Sequence, residues 1–372
     1  MTTTRAMQVL TILGLLAALS ACRGGEGDGE TGGAGGTGSG PGAGQGGFSD
    51  ATSLSCPRPG QLPFALETTG FQTSESEAIA GENTRSKEEA ADTLGLPGGV
   101  LANTYLEVEG APAAGPVVYQ GRRARTGEDS GLSSSQLPGE NVSLWFYDSG
   151  QSAWQSFGRA VTDDDGRYAI TPATPVAAPL GQPVYAMLEA DGSCAEHFDY
   201  LMPSGTKLIL TDIDGTLTLS DDELFKQIDD GSYQPAENAS AAALMNKWSE
   251  KGYQVIYLSA RPHAFRAETR AWLEALGFPD GPLVTANALV FDDSAREYKR
   301  AWVNRMLVDY GWAVEAAYGN ATSDIDAYED AGIPKDITFI VGEFAGAFGT
   351  GAIEDNDYTS HIADFVDPHP DA

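Results

Sequence analysis

The apolar run Leu208-Ile209-Leu210 leads through Thr211 into Asp212-Ile213-Asp214-Gly215-Thr216. A short unbroken apolar run bounded by Gly205 is the pattern of a strand buried on both faces, which implies a parallel sheet covered by helices. The chain beyond it keeps to that constraint. Ala241, Leu244, Met245 and Trp248 share one helical face, and Gly252 suits the helix end. Gln254-Val255-Ile256-Tyr257-Leu258 is a second buried strand, and Pro262 opens the next helix. That helix is expected to bury Phe265, Trp272, Leu273 and Leu276 and to keep Arg266 and Arg270 off the buried face. Tyr298, Trp302, Met306 and Tyr310 repeat at helical spacing, Val314 to Tyr318 reads as a strand, and Ile337 to Val341 as the last one. Strand alternating with helix predicts an α/β fold with a doubly wound parallel sheet over residues 205–345, and a tail over 346–372. In such sheets ligands sit beyond the carboxyl ends of the strands.

Asp212-x-Asp214-Gly215-Thr216 behind an apolar strand is open to two readings: a surface Asp-Gly turn, or a reactive site. It resembles the first motif of the haloacid dehalogenase superfamily of phosphotransferases. The resemblance implies that Asp212 attacks phosphorus and carries it covalently, and that Asp214 protonates the leaving oxygen and then deprotonates water. Thr216 would offer a hydroxyl and an N–H to the phosphoryl group. Three further expectations follow from the same resemblance. Ser259, closing the neighbouring strand, would bind the phosphoryl oxygens. Lys299 would neutralise them, with Lys247, Lys251 and Arg300 as rivals. Mg²⁺ would be held by Asp212, the main-chain carbonyl of Asp214, and Asn320 or Asp324. Arg261 suits either a phosphate contact or an ion pair. Asp324 and Asp326 could equally be an acidic pair answering a helix dipole.

The set Asp-Ile-Asp-Gly-Thr, Leu258-Ser259-Ala260-Arg261, Gly281-Pro282-Leu283, Tyr298-Lys299, Tyr318-Gly319-Asn320 with Asp324, and Gly332-Ile333-Pro334 resembles the catalytic domain of the lipin family from about Leu208 to Val341. Lipins are Mg²⁺-dependent phosphatidate phosphatases that release diacylglycerol, and they pair this domain with an immunoglobulin-like one. The chain between the motifs leaves little for a lid. A minimally capped site suits a phosphate carried by something large, such as a phospholipid headgroup at a membrane surface, or by a phosphoprotein.

Upstream, Arg5, an apolar run from Val9 to Leu19, and Leu19-Ser20-Ala21-Cys22 read as a bacterial secretion signal (residues 1–22) with a lipobox that acylates Cys22. An ordinary signal with an incidental cysteine is the alternative. Arg23 after the cysteine favours the outer membrane, giving a lipid-anchored protein of the cell envelope that faces the periplasm or the exterior. Residues 23–55, Gly-rich from Gly24 to Gly47, read as a flexible tether. In an oxidising envelope Cys56 and Cys194 could pair, or stay as two buried thiols.

Residues 56–204 are expected to form a β-sandwich of immunoglobulin-like type. Strand-like runs at Thr104–Glu109, Pro116–Gln120, Val142–Tyr147, Gln155–Thr162, Arg167–Thr171 and Pro183–Ala190 alternate with turns. Ser86 to Leu94 suggests a short helix. Asp163-Asp164-Asp165-Gly166 suggests a hairpin turn rather than a Ca²⁺ loop. Trp145, Tyr147, Trp154 and Phe157 read as sheet packing.

The formal net charge of −31 excludes nonspecific nucleic-acid binding and means that a phosphate must be drawn in locally. The functional expectation is a phosphatidate phosphatase-like hydrolase. A phosphatase for a lysolipid, nucleotide or phosphoprotein is one alternative, and a noncatalytic surface lipoprotein is another.

Overall fold

The structure is a computed structural model. It describes residues 99–372 apart from residues 103–104, 109–118, 126–134, 137–138, 149, 165, 171–183, 190–193, 198, 230–232, 263–264, 287–289 and 291. The expected signal segment, tether, Ser86–Leu94 helix, Cys22 and Cys56 lie outside the described residues.

Strands β1 (Gly99–Ala102), β3 (Tyr119–Arg125) and β4 (Ser135–Gln136) form an antiparallel sheet, which β7 (Arg167–Ile170) joins against β3. A second antiparallel sheet has β6 (Ala153–Val161), β5 (Asn141–Asp148), β8 (Val184–Leu188) and β9 (Cys194–His197) in that order. Val142 and Leu144 of β5, Tyr168 and Ile170 of β7, and Val184, Ala186 and Leu188 of β8 share one core, so the two sheets bury their apolar faces together. The Asp163 carboxylate accepts the Arg167 N–H at 2.8 Å, and Gly166 (φ 69°) donates to the Asp163 carbonyl at 2.8 Å. That is a hairpin turn. Trp154 stands edge-on to Tyr147 and Tyr185, in sheet packing. β2 (Tyr105–Val108) pairs in parallel with β10 (Asp199–Met202) just before the α/β region begins.

The α/β region is a six-stranded parallel sheet of β11 (Lys207–Thr211), β12 (Gln254–Pro262), β13 (Leu283–Ala286), β14 (Ala313–Gly319), β15 (Thr338–Val341) and β16 (Gly351–Ile353). Its order is β13-β12-β11-β14-β15-β16, so the winding reverses between β11 and β14. Among the described residues the helices accompanying it include α1 (Asp222–Asp229), α2 (Ala241–Glu250), α3 (Arg266–Ala275), α4 (Asp292–Asn304) and α5 (Thr322–Asp330). Both faces are covered, because alternate strand residues enter different cores. Ile209, Val255, Tyr257 and Tyr318 meet Leu244, Met245 and Trp248 of α2 and Trp272 and Leu273 of α3. Leu208, Leu210, Ile256 and Leu258 meet Val303 of α4 and Ala327 and Tyr328 of α5.

Four expectations need correction. Pro262 is the last residue of β12 rather than the first of a helix, and α3 begins at Arg266. Helix α1 lies in an interval expected to hold only α2. Arg266 and Arg270 are buried, whereas Leu276, at the helix end, is exposed. The arginines face the β region: Arg270 donates to the Gly281 carbonyl at 2.9 Å and to the Tyr200 hydroxyl at 3.5 Å. Burial pushes the nearby Glu196 carboxyl up to about 7, against the pull of Arg266 and Arg270. Finally, residues 346–372 are not a tail. They supply β16, and Tyr358 and Val366 are fully buried in the core with Trp248.

That terminal segment is fastened by a buried chain of polar groups. Trp248 Nε1 donates to Tyr318 Oη at 2.8 Å, and Tyr318 Oη meets His361 Nε2 at 2.9 Å. Burial pushes His361 down to about 4 from its ordinary 6.5. The unfolded chain therefore takes up a proton near pH 6.5 that the folded chain refuses until about pH 4, so this group makes stability fall as pH drops through that window. His361→Phe, which keeps a ring against Phe339 and Phe365, should lose less stability than the parent between those pH values in urea titrations. Equal slopes would remove His361 from the account.

Candidate active site

The site lies at the carboxyl ends of β11 and β14, where the winding reverses. Asp212 follows β11 directly, and its N–H donates to the Tyr318 carbonyl of β14 at 3.1 Å. The chain then coils back on itself: the N–H groups of Thr216, Leu217 and Thr218 all donate to the Ile213 carbonyl. Two distant residues fix this turn. Buried Asn238 donates through Nδ2 to the carbonyls of Thr216 (2.7 Å) and Thr218 (3.0 Å), and Tyr358 Oη donates to the Thr216 carbonyl at 3.0 Å.

Lys299 reaches this point from α4. Its Nζ lies 2.8 Å from Asp212 Oδ1 and 2.5 Å from Asp324 Oδ1, and the residue is only 4% exposed. Burial alone would lower the Lys299 pKa, but the two carboxylates outweigh it and hold the ammonium above its ordinary value. Burial pushes Asp212 up to about 7 against the pull of Lys299, with repulsion from Asp324 and Asp214 adding to the rise. The rival cations sit elsewhere: Lys247 and Lys251 pair with the terminal segment, and Arg300 with Glu297. Asp324 sits at the N-terminus of α5, as its helix-dipole reading expects. One oxygen meets Lys299, and the other accepts the N–H groups of Asn320 and Ala321 at 3.1 Å each, capping α5. Asp326 is exposed.

Thr216 Oγ1 donates to Asp212 Oδ2 at 3.3 Å and lies 3.5 Å from Asn320 Oδ1. Buried Ser259 is placed against the second carboxylate, its Oγ 3.5 Å from Asp214 Oδ2. Between the two readings of Arg261, the structure shows an ion pair. Its Nε lies 3.0 Å from both Asp214 oxygens, and Nη2 lies 2.7 Å from Oδ1. Thr269 and Gln227 hold its remaining nitrogen.

A small cover follows the motif. Leu219 N–H donates to the Ala236 carbonyl and Asn238 N–H to the Leu217 carbonyl, both at 2.8 Å, so the arms of the excursion are stitched together with α1 between them. Gln227 of α1 touches Arg261, and Asp221 accepts the Asn320 amide at 2.9 Å. Asp221, Gln227, Asn238 and Tyr358 carried no sequence signal as site residues.

Gly215 has φ +67°, and a Cβ there would stand 2.0 Å from Asn320 Nδ2 and 2.6 Å from Asp221 Oδ1. Gly215→Ala therefore combines left-handed strain of about 1–2 kcal/mol with a clash against the site. We expect it to lower the unfolding midpoint and to displace Asn320. Stability equal to that of the parent would contradict this placement.

The acceptors gathered here are all oxygens: carboxylates of Asp212, Asp324 and Asp221, the Asn320 amide and main-chain carbonyls. This is the ligand class of a hard divalent cation. Among the described residues no three His, Cys, Asp or Glu side chains converge as a metal cluster. The expected Mg²⁺ set, Asp212, the Asp214 carbonyl and Asn320 or Asp324, needs no such cluster, and its oxygen donors fit a hard divalent cation. Cys194 is disulfide-bonded, to a partner outside the described residues.

Among the described residues no helix is long and apolar enough to cross a membrane. Similar proteins are found among curated sequences. Protein retinal degeneration B of Drosophila melanogaster is 27% identical over 253 residues, covering 66% of this chain and 19% of that protein. Membrane-associated phosphatidylinositol transfer protein 3 of Mus musculus is 26% identical over 300 residues, covering 80% of this chain and 29% of its own length. The chain thus spans less than a third of the curated relatives it matches. One chain of the solved Pnkp1/Rnl/Hen1 RNA repair complex is 22% identical over 37% of this chain and 44% of its own, with a TM-score of 0.31, too slight a likeness to bear on the fold. Residues 209–342, which carry every part of the site except the bracing Tyr358, match the family model described as the LNS2 domain of PITM 1-3.

Proposed function

We propose that the chain is a Mg²⁺-dependent phosphomonoester hydrolase of the phosphatidate phosphatase type, working through a phosphoryl group carried on Asp212. The observation that carries this is the burial of Lys299 between Asp212 and Asp324 at the switch point of the sheet. A cation fully sequestered with two carboxylates is costly as a scaffold and useful where an anion must be received. Mg²⁺ held by Asp212, Asn320, Asp324 and the Asp214 carbonyl would supply positive charge to offset that of the phosphoryl group. Asp212 attacks phosphorus. Thr216, Ser259 and Lys299 stabilise the equatorial oxygens. Asp214 delivers a proton to the leaving oxygen and later takes one from water, and to do so it must loosen part of its clamp with Arg261. The relatives' names support a phospholipid as the carrier of the phosphate, and the expected acyl anchor on Cys22, in a cell envelope, would keep the site near a bilayer.

Phosphate release should be Mg²⁺-dependent and faster from phosphatidate vesicles than from soluble phosphomonoesters. Preference for a nucleotide or phosphopeptide would overturn the lipid assignment. The relatives named as transfer proteins favour a second reading, headgroup binding without turnover. Vesicle binding with no phosphate release would support it.

A further inference from the structure

The hydrogen bond between Asp221 and Asn320 has a use that the motif residues do not account for. Asn320 has two chemically different ends: Oδ1 attracts a cation, and Nδ2 repels it. Nothing in an isolated side chain decides which end faces the site. Here the choice is forced. Asp221 Oδ1 lies 2.9 Å from Asn320 Nδ2, and an ionised carboxylate only accepts, so the NH₂ must point at it. The amide oxygen is then left on the side of the reactive motif, where it lies 3.5 Å from Thr216 Oγ1, itself 3.3 Å from Asp212 Oδ2. Gly215 is pressed against this pair, since a Cβ there would meet both partners, Asn320 Nδ2 at 2.0 Å and Asp221 Oδ1 at 2.6 Å. Asp221 comes from the cover and Asn320 from the end of β14, so the bond joins residues 99 positions apart in the chain.

We infer that Asp221 is a positioning residue that locks the Asn320 amide with its oxygen toward the cation site and so sets affinity for the divalent ion. This rests on the Mg²⁺-dependent reading above. Groups that orient a metal ligand are typically worth about 10–100-fold in affinity. A neutral amide at position 221 can donate as well as accept, so the lock is lost.

The test is calorimetric titration of Mg²⁺, backed by Mn²⁺ paramagnetic resonance, into the full chain without substrate. Asp221→Asn and Asp221→Ala should weaken binding about 10–100-fold. Asp222→Asn removes the same charge one residue along, at an exposed position, and should change it less than threefold. The decisive arm is Asn320→Asp. A carboxylate presents oxygen whichever way it turns, so adding Asp221→Asn to Asn320→Asp should cost nothing further. Circular dichroism melts identify any variant that fails to fold, and the Asn320→Asp pair then carries the comparison alone. If Asp221→Asn binds as tightly as Asp222→Asn, the positioning role is wrong while the enzyme reading stands. If Asp221→Asn costs as much in the Asn320→Asp background as in the parent, Asp221 acts on the ion itself and the inference fails. If the parent binds no divalent ion, the Mg²⁺ reading falls and this inference with it.

Discussion

Asp212→Asn should abolish phosphate release, by at least about 10⁴-fold, while leaving the protein folded. An amide has the shape of the carboxylate but cannot displace an alkoxide from phosphorus. Stability should hold for a reason particular to this site. Burial already pushes the Asp212 carboxyl up to about 7, so its charge is a burden to the fold. Lys299 keeps Asp324 as a partner at 2.5 Å when Asp212 is neutralised. Thermal unfolding should therefore be unchanged or move slightly upward. Unfolding of Asp212→Asn would show that the carboxylate is structural, and retained Mg²⁺-dependent release would remove it as the nucleophile.

Lys299→Met should do the opposite to the fold. It removes the cation that lies between two buried carboxylates and leaves them to repel each other. Breaking a buried pair from one side costs about 3–5 kcal/mol. The loss should depend on pH with a definite sign. Without Lys299, folding must bury the Asp212 carboxylate unpaired in a dry pocket, which raises its folded pKa further above the unfolded one. The penalty is then largest at neutral and alkaline pH and is relieved as the Asp212 carboxyl protonates on acidification. Urea titrations at pH 8 and pH 5 should show the variant closer to the parent at the lower pH. Activity should fall at least about 10²–10³-fold, the usual cost of deleting one preorganised charge-stabilising group. A variant as stable as the parent at both pH values would mean that the buried triad contributes nothing to folding.

The centre of the candidate site was legible in the sequence because its residues are local. Asp212, Asp214 and Thr216 are nearly contiguous at the end of an apolar strand, and the family resemblance picked Lys299 out of several rival cations. The bracing was not legible. Asn238 and Tyr358 hold the same carbonyl of Thr216 from positions far along the chain, and an Asn or a Tyr has no periodic signature. Helix α3 misled for a different reason. Its arginines looked solvent-facing because one face was known to be apolar, but the β region covers the other face, where Arg270 meets Tyr200. An amphipathic pattern shows which face prefers the core and says nothing about a second layer. The terminal segment was missed because β16 is three residues, Gly-Ala-Ile, too short for any period to show.

The proposed reaction depends above all on a covalent phosphoryl group at Asp212. The most direct measurement is acid quenching during turnover of ³²P-labelled phosphatidate with Mg²⁺, followed by mapping of the labelled peptide. An alkali-labile acyl phosphate is expected on the peptide that contains Asp212, present in the parent and absent from Asp212→Asn. Sustained phosphate release with no labelled protein at any quench time would contradict it.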